Sequence, residues 1–344
     1  MTDSLATFWA QATAGVNYYR ARLPARHLPG KVVKLAPFDL KPGETEGEYR
    51  FPRQEGETAI WLFPGNTTRA LLIAQMKAQG IRVLVEADDN YLLHPPLQLS
   101  AWKQNFDGTD DHSYEVFSKI SGFADGMIVS TPKLAEVYAP LNPEIHVCRN
   151  SVDPADWPAD PPHQRDGILR IGWAASDSHV YDAPLILDAL EWASRQPDVE
   201  VVIVGIHPDF ARYRFPYRHV EWTDSLSQYR RNVGLIDVML CPLRQGEWED
   251  CKSDVKALEG GMSGAAIVVS KVEPYRPWWD GEAPGLVAEH PWDFKKIVKH
   301  LVRSPEEVRM LAQAAREYVL EHRDIKRTVS AWREAVKVEE RVSV

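Results

Sequence analysis

Several kinds of residue and pattern are scarce in this chain, and each scarcity closes off a class of function. There are three cysteines in 344 residues: Cys148, Cys241 and Cys251. Their spacing fits neither a disulfide framework nor a thiolate metal site, and it suits a reducing compartment. The eleven histidines make no paired ligand motif, so no bound metal is expected. No apolar run approaches the roughly 20 residues that cross a bilayer. Residues 1–9 lack a basic stretch leading into an apolar one, so no secretory signal is expected and the reading is of a cytoplasmic protein. Basic residues are in the minority: 40 Lys and Arg against 49 Asp and Glu leave a formal net charge of -9. That balance argues against an extended, sequence-independent grip on nucleic acid, which depends on Lys and Arg replacing counterions. A local basic cleft stays compatible with it. Repeats of solenoid period and low-complexity tracts are absent as well.

What is there describes a globular protein of two domains. Hydrophobic residues make up 44% and charged residues 26%, ordinary proportions for a chain that buries a core, and the length suffices for two domains. Strand-like and helix-like segments alternate twice over, the order expected of two α/β halves with parallel sheets. In the first half, strands are expected at 6–11, 31–35, 59–63, 82–86, 126–129 and 145–148, and helices at 23–28, 68–78, 113–123 and 132–138. Residues 41–56 read as a loop or insertion and 97–111 as an irregular surface excursion. In the second half, strands at 168–173, 199–204, 220–222, 238–241, 266–269 and 286–287 are interleaved with helices at 183–196 and 226–233. A helix capped by Ser304 and running to His322, and another over 325–338, close the chain. The proline- and aspartate-rich stretch 153–166 marks the linker. The expected layout is an N-terminal domain over 1–155, a linker over 156–167, a C-terminal domain over 168–320, and a terminal helix and tail over 321–344. Most of the twelve tryptophans are assigned to packing, although indole faces also stack on sugar rings.

In open α/β sheets, ligands sit beyond the carboxyl ends of the strands, so the loops directly after strands are the candidate sites. The first is 15–20, where Gly15 lets the backbone approach a ligand and Tyr18, Tyr19 and Arg20 follow. The second is Asp88-Asp89-Asn90, and the third is 174–179, small and polar, with Ser176 and His179. The fourth is the segment 251–270. Within it, Ser253 is read as the N-cap of a short helix with Asp254 in its first turn. At about 100° per residue, Lys252, Lys256 and Glu259 fall within roughly 60° of one another if the helix includes them all. Val255, Leu258 and Met262 form the neighbouring apolar stripe. A helix N-terminus flanked by lysines attracts a diphosphate, and a carboxylate one or two turns on suits ribose hydroxyls. Taken singly, each loop is equally a turn of small polar residues, and the helix equally an amphipathic one with solvated charges.

Taken in order, these motifs resemble those of a family. Arg149-Asn150-Ser151-Val152-Asp153 is similar to a "(P/R)-N-G-V-D" run, and Ile171-Gly172-Trp173-Ala174-Ala175-Ser176 with His179 and Asp182 to "IGWxGSxxHxxD". Val201-Val202-Ile203-Val204-Gly205 fits the strand that follows, and Asp237-Val238-Met239-Leu240-Cys241-Pro242-Leu243 resembles "DVxLxPL". Lys252-Ser253, Lys256, Glu259, Gly264 to Ser270 and Pro274-Tyr275 resemble "KSxxKxLExxxxGxPVVxSxxxPY", and Gly285-Leu286-Val287 the late "GxLV". Over nearly the whole chain this is the pattern of the GT-B glycosyltransferases, in the large nucleotide-sugar-dependent group to which many retaining enzymes belong. Two positions depart from it. Ser151 stands in place of glycine, and Cys251 stands where the first glutamate of a Glu-x7-Glu pair belongs, with Glu247 and Glu249 out of register. The sugar-contacting role of that first glutamate is therefore without its usual residue.

The resemblance implies an α/β chain with two Rossmann-like domains facing each other across a cleft, acceptor side first and donor side second, and C-terminal helices crossing back. It implies a hexosyltransferase-like enzyme that moves a sugar from a nucleoside diphosphate sugar to an acceptor hydroxyl, with retention and with neither metal nor further cofactor. By resemblance, Glu259 binds the donor ribose, while Lys252 and Ser253 with the helix N-terminus hold the diphosphate and stabilise the leaving nucleotide. Lys256, Ser176, His179 and, from the other domain, Gly15 complete the donor side. Asp88 and Asp89, with Tyr18 and Arg20, fall to the acceptor, and Asp89 or His112 is the general base if the reaction inverts. The acceptor is a glycan, a small molecule or, since compact enzymes of this kind resemble those of phage genomes, a hydroxymethylated DNA base. Three other readings stay open. Asp88-Asp89 mimics the Asp-x-Asp metal motif of the GT-A architecture; the same fold hosts nucleotide-sugar epimerases; and Cys251 suits a degenerate sugar-nucleotide-binding module.

Overall fold

Strands three to seven residues long, most of them rich in Val, Ile, Leu and Ala, build two parallel sheets. The computed structural model describes residues 6–10, 14–34, 41–42, 49–51, 57–65, 67–93, 113–158, 167–176, 179–205 and 215–337. The chain divides into two compact units, Met1–Asn150 with Ile325–Val344, and Ser151–Asp324.

The first unit holds β1 (Ala6–Ala10), α1 (Ala14–Asn17), a π-helical turn (Tyr18–Arg22), α2 (Leu23–His27) and β2 (Gly30–Lys34). A two-stranded antiparallel pair, β3 (Lys41–Pro42) with β4 (Tyr49–Arg50), follows within the expected insertion. Then come β5 (Thr58–Leu62), α3 (Thr67–Ala78), β6 (Arg82–Ala87), α4 (Ser113–Phe123), β7 (Gly126–Val129), α5 (Pro132–Tyr138) and β8 (Ile145–Val147). The sheet order is β2-β1-β5-β6-β7-β8, every pair parallel. All the strands expected from the sequence are present. The helix α5 starts as its sequence predicts: Thr131 Oγ1 accepts the Leu134 N–H at 3.2 Å and Pro132 occupies the first turn. Aromatic rings fill the core, with Trp9 stacked on Trp61 at 5.0 Å and Phe8 tilted against Trp332 at 6.0 Å. The stretch 15–20, expected as a loop, is helical instead, because Tyr18, Tyr19, Arg20 and Ala21 are all drawn into the interior.

The second unit begins earlier than the expected linker. Val152 bridges Asp324, Asp153 Oδ1 accepts the Ala155 N–H at 3.1 Å to cap a 3-10 turn (Pro154–Asp156), and Trp157 is buried. Then follow β9 (Leu169–Ala175), a 3-10 turn (Ala183–Leu185), α6 (Leu187–Ala193), β10 (Val199–Gly205), β11 (Arg218–Glu221), α7 (Leu226–Val233) and β12 (Val238–Cys241). After these lie α8 (Val255–Met262), β13 (Ala266–Ser270), α9 (Arg276–Trp279), β14 (Leu286–Ala288), α10 (Pro291–Val302) and α11 (Pro305–His322). Finally α12 (Ile325–Val336) returns to the first unit. The helix expected over 183–196 is broken, with Pro184 in the 3-10 turn and α6 starting at Leu187. The helix α11 does begin after Ser304, but the serine side chain makes no cap hydrogen bond.

The order β11-β10-β9-β12-β13-β14 is again all parallel. Alternate residues of each strand face opposite sides. Ala174, Val202, Val204, Met239, Cys241, Ile267 and Val269 join one core. Ile171, Trp173, Val201, Ile203, Val238, Leu240, Ala266 and Val268 join the other. Both faces are apolar, as a parallel sheet covered by helices requires. Among the described residues no helix is long and apolar enough to cross a membrane.

Candidate functional site

In the second sheet the chain runs outward from β9 through β10 to β11, then returns to the other side of β9 as β12. The carboxyl ends of β9 and β12 therefore flank the point where the winding reverses, the position at which open sheets of this kind bind ligands. Two loops meet there. In the loop after β9, the His179 N–H bonds the Ser176 carbonyl at 3.0 Å and the Asp182 N–H bonds the His179 carbonyl at 2.9 Å. This fold of the chain brings His179 Nδ1 within 2.9 Å of Asp182 Oδ2. The other Asp182 oxygen accepts the Arg244 N–H, from the loop after β12, at 3.0 Å. Arg244 in turn donates to Glu249 Oε1 at 2.7 Å and lies over the Tyr181 ring at 5.3 Å. Burial depresses the His179 pKa below the ordinary imidazole value; the Asp182 contact opposes this, and the positive charges of Lys252 and Lys256 add to it. Both lysines thus act on the same spot.

Lys256, in the first turn of α8, donates to Tyr229 Oη at 3.0 Å and lies 3.3 Å from Glu259 Oε2. Tyr229, on α7, donates to the same Glu259 oxygen at 2.7 Å. Burial works against the Lys256 ammonium, yet Glu259 and Tyr229 outweigh it and raise its pKa. Burial and the Glu259 charge raise that of Tyr229. The result is a fixed cation, a neutral phenol and a buried carboxylate in one hydrogen-bonded group. Tyr275, buried beside them, is also held well above its usual pKa, chiefly by burial.

The start of α8 differs from the sequence expectation. Its N-cap is Asp254, not Ser253, and no side-chain cap bond forms. The Asp254 carboxylate is instead taken by Arg323 at 2.8 and 2.9 Å, with Trp278 Nε1 at 3.4 Å. Lys252 and Ser253 lie ahead of the helix, so only Lys256 and Glu259 share the predicted face. Lys252 sits over the Trp248 ring at 5.1 Å. Cys251 is fully buried, its thiol turned to the Glu247 carbonyl at 3.3 Å. At the other end, Gly264 closes α8 with φ 81 while Ala265 N–H reaches back to the Gly260 carbonyl, a left-handed turn that suits glycine.

In the first unit, Asp88 and Asp89 do follow a strand end, that of β6. Tyr91 Oη donates to Asp88 Oδ1 at 2.8 Å. Tyr138 Oη donates to the Asp89 carbonyl at 2.7 Å. Burial and the neighbouring charges of Asp89 and Glu86 push the Asp88 pKa up to about 8. Two expected acceptor contacts are corrected. Arg20 is 1% exposed; its Nε bonds Glu86 Oε1 at 2.6 Å, Nη1 bonds the Cys148 carbonyl at 2.6 Å and Asn150 Oδ1 at 3.0 Å, and Trp332 covers it at 4.9 Å. Tyr18 is buried, its hydroxyl accepting from Arg26 at 3.3 Å. Both are packing groups here, since a residue immersed in the core has no face for a substrate. Gly15 is exposed, and a Cβ there would meet no described atom within 4 Å. His112 lies outside the described residues.

Sequence reasoning missed Tyr229 and Arg244. The approach of Tyr229 to Lys256 carries no local signal, because the two sit on different helices. Arg244 directly follows the strand-end motif at 237–243, and that position was the available clue.

No family model and no curated protein sequence matches the chain. Its structure is similar to a sucrose-phosphate synthase from Thermosynechococcus elongatus (TM-score 0.67, 12% identity), covering 97% of this chain and 98% of that one. It is also similar to Anabaena HepE, solved with UDP and glucose (TM-score 0.64, 13% identity), covering 98% and 100%. TarM aligns over 81% of this chain (TM-score 0.60, 13% identity), but the chain spans only 54% of TarM's length. The two six-stranded parallel sheets with interleaved helices are those of the GT-B fold.

Proposed function

We propose that this protein is a glycosyltransferase that moves a sugar from a nucleoside diphosphate sugar to an acceptor hydroxyl. The observation that carries the reading is the Tyr229–Lys256–Glu259 group set beside His179 and Asp182 where the winding of the second sheet reverses. A cation locked in its charged form, a carboxylate able to exchange its phenol partner for ribose hydroxyls, and a helix N-terminus suit a nucleoside diphosphate. As the glycosidic bond breaks, negative charge grows on the leaving diphosphate, and Lys252 and Lys256 stabilise it there. That positive charge serves in place of a divalent ion, so the proposed reaction needs no metal. Retention of configuration rests on the resemblance of the motifs. Similar structures solved with UDP support a nucleotide at this site. Buried cysteines that form no disulfide among the described residues suit a cytoplasmic setting.

Asp88 and Asp89 are the proposed acceptor-side groups. The net charge of -9 favours a carbohydrate or small-molecule acceptor over a hydroxymethylated base of phage DNA. Calorimetric titration with UDP, GDP and ADP sugars tests the reading. One of them is expected to bind, and Lys252→Ala is expected to abolish nucleotide release without unfolding the protein. Binding of none of the three would sink the donor site. Product analysis with and without a glycan or hydroxymethylated DNA separates transfer from epimerisation, which needs no acceptor.

A further inference from the structure

The polar groups at the donor edge of the second unit are linked one to the next. Tyr229 and Lys256 meet Glu259 at 2.7 and 3.3 Å; Lys256 and Lys252 act on His179; His179 meets Asp182 at 2.9 Å; Asp182 accepts from Arg244 at 3.0 Å; and Arg244 meets Glu249 at 2.7 Å. If the donor reading above holds, with ribose at Glu259 and diphosphate at the lysines, the transferred sugar continues along these linked groups. Its next neighbours are then Arg244, Tyr181 and Glu249.

The charges at that end differ from those at the lysines. The Arg244 guanidinium lies between two carboxylates, with Nε 3.7 Å from Asp182 Oδ1 and Nη2 2.7 Å from Glu249 Oε1. A cation so compensated is a poor clamp for a dianionic diphosphate. It is a good one for neutral hydroxyls, which accept from a guanidinium and donate to a carboxylate. Arg244 is pinned yet accessible: its side chain is 43% exposed, against 6% for Asp182 and 12% for Glu249. Glu249 Oε2 makes no hydrogen bond among the described residues and lies over Gly246, where a Cβ would collide with it. Cys251, at the position where a sugar-contacting glutamate was expected, is turned inward and offers no such group.

We propose that Arg244, held by Glu249 and Tyr181, reads the hydroxyls of the transferred sugar and so determines which sugar the enzyme accepts. The test compares UDP, GDP and ADP with a panel of their sugars, on the full chain, by calorimetry and by KM and kcat. In Arg244→Ala and Glu249→Gln, affinity for the bare nucleoside diphosphate should stay within about twofold. Affinity for the preferred sugar nucleotide should fall by about tenfold or more, the scale of a lost charge-assisted hydrogen bond, with KM rising more than kcat falls. Arg244→Lys keeps the charge and loses the planar fork, so it should resemble Arg244→Ala in sugar preference while melting like the wild type. Equal weakening of nucleotide and sugar nucleotide, or no change in either, would overturn the proposal and leave the donor site standing. A wild-type protein that binds none of the nucleotides overturns both.

Discussion

At the carboxyl end of the second sheet stand His179, Arg244, Lys252 and Lys256, each beside a carboxylate or an aromatic face. At the corresponding end of the first sheet stand Glu86, Asp88 and Asp89, with the Arg20 guanidinium sunk into the core against Glu86 and Arg69 tied to the Phe63 carbonyl at 2.8 Å. Both sheets are wound from parallel strands on the same plan, and the same backbone geometry presents loops at the same edge. The sign of the charge gathered there is set by side chains alone. An edge rich in cations suits an anionic donor. An edge rich in carboxylates suits an acceptor that offers hydroxyl protons. Fold fixes where a site is placed, and residues fix what it holds.

Removing Arg20, the more deeply buried of two arginines described in the interior of the first unit, should produce the largest effect. Arg20→Ala leaves Glu86, fully buried, without its ion-pair partner and should cost about 3–5 kcal/mol. Hydrogen exchange should show the loss in the first unit while the second keeps its protection. Equal loss in both units would mean that they fold as one cooperative body and would weaken the comparison. The counterpart in the second unit is Lys252→Ala, in which a half-exposed cation over Trp248 is removed. Here the expected loss is in turnover, about 10²–10³-fold, with the melting temperature unchanged. A large drop in melting temperature would make Lys252 a packing residue like Arg20.

The difference between those two residues was only partly legible in the sequence. Arg20 follows a strand and an aromatic pair, as a ligand-binding arginine would. Its partners Glu86, Cys148 and Asn150 lie 66, 128 and 130 positions away, beyond any local pattern. The strands were legible because a strand buried on both faces leaves a continuous apolar run. Ser253 was misread as a cap because capping chemistry is local, whereas the group that claims Asp254 is Arg323, 69 positions on. The helix α10 was missed although its signal is local: Pro291 opens it, Asp293 closes a capping box with His290, and Phe294, Val298 and Leu301 keep the helical period. Its short polar start reads as a loop unless that box is recognised.

Cys251 sharpens the contrast on a smaller scale. Restoring the glutamate of the family pattern looks like a repair, but the site is 0% exposed and the thiol is turned to the Glu247 carbonyl. A carboxyl there would be larger than the thiol and buried, so Cys251→Glu should destabilise the second unit by roughly 1–3 kcal/mol and leave sugar preference unimproved. Urea denaturation with a donor panel checks both. A stable variant with tighter sugar binding would return the sugar contact to position 251 and take it from Arg244.

The last effect expected is a change of slope, read as a dependence on pH and not as a loss of activity or of fold. Free aspartate loses its proton near 3.8, but in the folded first unit Asp88 keeps its proton up to about 8, chiefly through burial and then through Asp89 and Glu86. Below 3.8 both states are protonated and the residue does not affect stability. Between 3.8 and about 8 the unfolded chain releases a proton that the folded one retains, so the contribution of Asp88 to stability falls as pH rises. Above that window both states are ionised and the curve flattens. Asp88→Asn keeps an oxygen to accept from Tyr91 and removes the titration, so urea midpoints measured across that range should lose this part of their decline. The second unit offers the opposite control. His179 is held below its ordinary pKa, so acidification favours protonation of the unfolded chain first, and stability there falls as pH drops. His179→Gln should remove that acid-side loss and leave the alkaline side untouched. If either variant left its limb of the pH profile unchanged, burial would not be holding that group neutral at its strand edge.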